Sequence, residues 1–137
     1  MREILFRGKR VDNGEWIEGF YAHSGEKKYI LIDNDIAVGY LAMKEVKPDT
    51  IGQYTGLTDK NGTKIFEGDI VNYTQNYELS GNVVMVGTVK WSECYAGLCV
   101  TNFTNGLADR FLTNAQYRIE VIGNIYDNPE LLRSDTE

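Results

Sequence analysis

The sequence predicts a mainly β fold. Three observations carry this reading. Apolar and polar residues alternate with period two through much of the chain, turn dipeptides recur at short intervals, and no long stretch repeats every 3.6 residues. The pattern gives roughly eight to ten short strands, as in a barrel or a sandwich.

The elements follow in order. Ile4, Leu5 and Phe6 begin a first strand, and Asp12-Asn13-Gly14 closes it in a tight turn, because Asn-Gly readily adopts positive φ. Trp16 to Ala22 forms a second strand, with Trp16, Glu18 and Phe20 on one face and Ile17 and Tyr21 on the other. After the turn at Ser24-Gly25, Tyr29 to Ile32 forms a third, ended by Asp33-Asn34-Asp35. Ile36 to Met43 reads as a fourth, Pro48 punctuates, and Thr50 to Thr55 is extended. Thr58 to Thr63 is a polar turn with Asn61-Gly62 at its tip. Glu67-Gly68-Asp69 leads into the strand Ile70–Tyr73, Gln75 to Asn82 reads as a polar hairpin loop, and Val83 to Trp91 is the clearest strand. Gly87 inside it marks a bulge or a close approach. Tyr95 to Phe103 and Leu107 to Leu112 flank a turn at Thr104-Asn105-Gly106; Leu107, Phe111, Leu112 and Ala115 also fit a short amphipathic helix. Arg118 to Tyr126 is the last strand, and Asn128-Pro129 starts a helical turn, with Asn as its cap. A soft boundary near residues 48–60 separates an N-terminal β region, 1–55, from 56–137.

With 137 residues, 42% of them apolar and 25% charged, the chain can bury a core without a metal or a disulfide. Its net charge of -6 opposes nucleic-acid backbones and anionic membranes. Arg2, Arg7, Lys9 and Arg10 make the start locally basic, a pattern that fits a solvated strand face. The alternation from Met1 to Arg10 is not that of a signal peptide, and no run is long enough for a membrane helix. The expectation is a cytoplasmic protein, with Cys94 and Cys99 as free thiols.

Two blocks carry a family resemblance. Gln53-Tyr54-Thr55-Gly56-Leu57-Thr58-Asp59-Lys60-Asn61-Gly62 runs on to Ile65-Phe66-Glu67-Gly68-Asp69-Ile70-Val71. Near the other end stands Glu120-Val121-Ile122-Gly123-Asn124-Ile125-Tyr126-Asp127-Asn128-Pro129-Glu130-Leu131-Leu132. Together with the opening Arg2-Glu3-Ile4-Leu5-Phe6-Arg7, these resemble the YopX-like family of bacteriophage and prophage proteins. The resemblance implies a phage or prophage origin. It also implies a C-terminal half resembling an SH3-like β-barrel. With the residue pattern, the expected fold is an N-terminal antiparallel sheet followed by that barrel and a short C-terminal helical turn. It implies no activity and supplies no catalytic residues. Gly56, Gly62, Gly68 and Gly123 suit turns and strand bends, and Asp59 and Asn61 suit Asx-turns. The motif thus reads first as backbone architecture.

Asp59-x-Asn61-x-Thr63 resembles the start of a calcium loop, but Lys64 stands where Gly is needed and Ile70 where Glu is needed. Asp33 with Asp35, and Glu67 with Asp69, read as loop carboxylates. His23 is the one imidazole, with Cys94 and Cys99 the available thiols, and no nucleophile–base–orienter pattern emerges. Phosphate-loop motifs are absent. No enzyme, cofactor or metal is expected. Nine Tyr against five Phe and two Trp favour a protein-contact surface. Its candidate residues are Tyr54, Asp59, Asn61, Glu67, Asp69 and Tyr73. The expected function is phage accessory work by protein–protein contact or self-assembly, with an unknown partner. The alternative is a nucleic-acid-associated module of phage replication or regulation, which the acidic charge disfavours.

Overall fold

The structure, a computed structural model, describes residues 3–32 and 43–133. The chain divides into two compact units, Met1–Gly56 and Leu57–Glu137. Its architecture is mainly β, in antiparallel sheets.

The first unit holds β1 (Phe6–Lys9), β2 (Trp16–Ser24), β3 (Lys27–Leu31), β4 (Met43–Val46), a 3₁₀ turn at Pro48–Thr50, and most of β5 (Gly52–Thr58). The strands lie in the order β4-β3-β2-β1-β5. The sheet curls so that β4 returns to the end of β1. Arg10 bridges Val46, the Val11 N–H donates to the Glu45 carbonyl at 3.0 Å, and the Lys47 N–H donates to the Lys9 carbonyl at 2.8 Å. The Thr50 hydroxyl locks the same corner. It accepts the Lys9 N–H at 2.9 Å and donates to the Lys47 carbonyl at 2.6 Å. Ile30 and Val46 are fully buried inside the curl, each stabilising the unit by roughly 1.5–3 kcal/mol.

The first strand lies later than the sequence suggests. Ile4 is exposed and β1 covers Phe6–Lys9. Its charged residues are tolerated because the Arg7 guanidinium and the Lys9 ammonium lie over the Trp16 ring, 4.7 Å and 5.7 Å from its centroid. Such contacts let a cation keep company with an apolar neighbour. Of the expected strand Ile36–Met43, Met43 alone lies within the described residues, and it opens β4. Asp33 and Asp35 lie outside them.

The second unit contains β6 (Lys64–Phe66), β7 (Asp69–Tyr77), β8 (Gly81–Ser92), β9 (Gly97–Thr101), β10 (Arg110–Phe111), the single turn α1 (Leu112–Ala115), a 3₁₀ turn at Gln116–Arg118, β11 (Ile119–Asn124) and a last 3₁₀ turn at Pro129–Leu132. Five strands form one sheet, β10-β9-β8-β7-β11. Among the described residues no pairing of β10 with β11 closes it into a barrel. Its core gathers Ile65, Val71, Tyr73, Met85, Val89, Val100, Phe103, Leu112 and Ile119.

Three local expectations change. Gln75–Asn82 is not a loop: β7 and β8 keep pairing through Thr74↔Val84, Asn76↔Asn82 and Tyr77↔Gly81. Leu107–Leu112 is neither one strand nor one helix. A coil leads to the two residues of β10, and Leu112 then opens α1 and anchors it in the core. Gly87 is a point of close approach, one half of its expected role: a Cβ there would lie 2.6 Å from Val100 Cγ1. It is no bulge, since it stands in unbroken register opposite Val71. The bulge lies instead in β11, between Val121 and Gly123.

Candidate functional site

The two blocks of the shared motif meet at Asp59. Its Oδ1 accepts the backbone N–H groups of Asn61 at 2.8 Å and Thr63 at 2.9 Å, forming the turn between β5 and β6. Its Oδ2 accepts the N–H of Val121 in β11 at 2.9 Å. Asn61 adds a side-chain bond, donating from Nδ2 to Glu120 Oε2 at 3.0 Å. Burial is the largest single influence on the Asp59 carboxyl and opposes its charge. The donors from Val121, Thr63 and Asn61, with Lys60 nearby, outweigh it and hold the group below the ordinary aspartate range, as N–H donors to a carboxylate do.

The remaining motif residues work in the same way. Asp69 is buried, and its Oδ2 accepts the Phe66 N–H at 2.8 Å across the β6–β7 turn. Gly56, Gly62 and Gly68 have φ of 87°, 85° and 91°, where a Cβ is strained. Gly123 serves close approach: a Cβ there would lie 2.5 Å from Asn128 Oδ1. Asn128 does not cap the last turn, because its side chain points back and accepts the Asn124 N–H at 3.2 Å. Asn124 Oδ1 in turn accepts the N–H groups of Tyr126 at 3.0 Å and Asp127 at 2.9 Å.

Of the six candidate contact residues, Tyr54, Asp59, Asp69 and Tyr73 are buried, Glu67 is half-buried and Asn61 is exposed. Tyr73 packs edge-on against Phe103, with ring centroids 5.7 Å apart. His23 is exposed and stacks on Tyr21. Cys94 is exposed and Cys99 is buried; both are free. Burial, and secondarily the Asp109 charge, push the Cys99 thiol up. Among the described residues no three His, Cys, Asp or Glu side chains assemble as a metal site. No helix there is long and apolar enough to cross a membrane.

Two surface features of the second unit lie largely outside the motif, which contributes only Lys60 to them. The first is a ribbon. Pairing of β11 with β7 stops at Tyr73, and pairing of β9 with β8 stops at Thr88. The β7–β8 hairpin therefore projects past both neighbours. It carries Leu79 wholly exposed, Val84 at 58% and Tyr77 at 41%.

The second is a groove at the foot of that ribbon, about 310 Å³ in volume, lined by Lys60, Thr74, Asn76, Asn82, Tyr117 and Arg118. Hydrogen bonds position two of the lining residues. The Lys60 N–H donates to the Ile119 carbonyl at 3.1 Å, which seats it beside the turn carrying Tyr117 and Arg118. The Arg118 guanidinium donates to Gln75 Oε1 at 3.2 Å, and the Tyr73 hydroxyl donates to the same oxygen at 3.2 Å. Neither Lys60 nor Arg118 stands in an ion pair among the described residues. Nothing in the sequence marks this groove, because its residues come from four separate segments.

Fold and site define a small, mainly β protein of two units, in which the recurrent polar and glycine residues tie backbone segments together. The family model described as "YopX protein" matches residues 5–133. The chain belongs to the YopX family. Among solved structures it is similar to the crystal structure of protein EF1440 from Enterococcus faecalis. That likeness has 24% identity and a TM-score of 0.52, over 97% of this chain and 100% of that one, and it concerns the fold. A search of curated proteins finds no match.

Proposed function

We propose that this YopX-family chain is an accessory protein of phage or prophage origin. It acts in the bacterial cytoplasm by contact with another protein or with further copies of itself. The observation that carries this reading is the β7–β8 ribbon. A two-stranded ribbon with open edges and exposed apolar side chains is a template for strand pairing and apolar contact, and a protein with no such use for it would be expected to blunt it with charge. We also read the second unit as SH3-like, on the strength of its five-stranded antiparallel sheet and the 3₁₀ turn that precedes the last strand.

The test is solution mass by light scattering over a range of concentrations, for the wild type and for Leu79→Lys with Val84→Lys. Self-association that falls to monomer in the double variant supports assembly through the ribbon. If the wild type is a monomer, the same pair serves as bait in host extract. A stoichiometric partner held by the wild type and lost by the variant supports the heterologous form. A monomer that retains no partner overturns the proposal.

A further inference from the structure

We propose that the groove between the β7–β8 ribbon and the Gln116–Arg118 turn is a nucleoside-phosphate site, taking a free nucleotide or one unit of a single-stranded nucleic acid. This goes beyond the protein-contact reading and uses different residues.

The chain carries a net -6, yet the groove wall holds two cations, Lys60 and Arg118, and no carboxylate. Asp59, whose charge Lys60 helps to hold, and Glu120 are not among the lining residues, and their oxygens take three backbone N–H donors and the Asn61 amide. An anion in the groove meets two cations, neither in an ion pair among the described residues, although Asp59 partly offsets Lys60 and Arg118 also donates to Gln75. Arg suits phosphate because its planar fork can present two donors at once.

The uncharged lining adds the rest. Tyr117 is 79% exposed beside those cations, and an exposed tyrosine face next to a cationic track is the arrangement on which bases stack. Asn76 and Asn82 are cross-strand partners in register. Each amide offers both donors and an acceptor, which suits the mixed edge of a base or a sugar hydroxyl. Thr74 supplies a hydroxyl two residues from Asn76 on the same strand face. The volume of about 310 Å³ lies at the small end of ligand pockets, the scale of one nucleotide. An acidic peptide would use the cations but leave the Tyr117 face and the amide pair without a counterpart.

The test has two arms at low ionic strength. Anisotropy follows a labelled oligothymidylate, and calorimetry follows thymidine monophosphate. The wild type should bind in at least one arm; the oligonucleotide alone marks a strand site, and comparable affinity for the mononucleotide marks a free-nucleotide site. Lys60→Gln with Arg118→Gln should weaken binding at least tenfold. Tyr117→Leu should weaken it roughly 5- to 150-fold, the range for one lost stack. For the oligonucleotide, log affinity should fall against log salt with a slope of about -1.4, for two phosphate contacts on a single strand. All three residues are exposed, and circular dichroism checks that the variants fold. No binding in either arm overturns the site, as does affinity unchanged in the double cation variant. An oligoglutamate of equal charge that binds more tightly than the oligonucleotide also overturns it and reassigns the groove to acidic peptide. Failure here leaves the ribbon experiment untouched, since Leu79 and Val84 do not line the groove.

Discussion

Asp59 Oδ2 accepts the Val121 N–H at 2.9 Å across 62 residues of sequence. One carboxylate thus joins the β5–β6 turn to β11. Replacing Asp59 with Ala strands three backbone donors at a buried position, at a cost of roughly 2–4 kcal/mol. Asp59→Asn keeps the shape and one acceptor oxygen, so its loss should be smaller. Urea unfolding of the wild type and both variants gives the order; equal stability for Asp59→Ala and the wild type would remove Asp59 from its structural role.

The same carboxylate sets an acid limit. Its folded pKa lies below the ordinary value of 3.8, so the unfolded chain takes up the proton first as pH falls. The stability it provides is therefore complete above the unfolded value and drains away as pH drops from about 4 through the folded value. Unfolding free energy measured from neutral to strongly acid pH should fall more steeply in that window for the wild type than for Asp59→Asn. Parallel profiles would contradict this.

Gly123→Ala should destabilise by roughly 1–3 kcal/mol through overpacking, since the new methyl carbon would fall 2.5 Å from Asn128 Oδ1. Asn128→Ala removes that obstacle along with the bond to the Asn124 N–H. The double variant should therefore lose less than the sum of the two single losses. Strict additivity in thermal melts would disprove the coupling.

The two thiols should separate cleanly. Cys94 is exposed, whereas Cys99 is fully buried and its ionisation is further suppressed by burial and Asp109. Since the thiolate is the reactive form, a disulfide reagent should titrate one thiol quickly in the native protein and the second only in denaturant. Two fast thiols would show that Cys99 is accessible.

What the sequence made legible is local. Asn13-Gly14, Asn61-Gly62 and the alternation from Val83 to Trp91 announce turns and a strand through their own backbone preferences. Asp59 could be read as an Asx-turn residue for the same reason, but its third partner, Val121, belongs to another block and leaves no local trace. Asn-Pro does start a helical turn at Pro129, but the Asn128 side chain turns back to the Asn124 N–H instead of capping it, because Gly123 leaves room for it. The Gln75–Asn82 stretch looked like a loop because most of its side chains reach solvent, which erases period-two alternation. The groove was hidden by averaging: a net charge of -6 says nothing about where Lys60 and Arg118 meet.

The sheet order also fixes when the second unit can form. β11 pairs with β7, joining Val121 to Val71 and Asn124 to Asp69, so the edge of the sheet must wait for residues made some fifty positions later. During synthesis β7, β8 and β9 can pair while that edge stands bare. The nascent chain is most exposed to misassociation in this interval, and chaperone demand should fall once β11 leaves the ribosome.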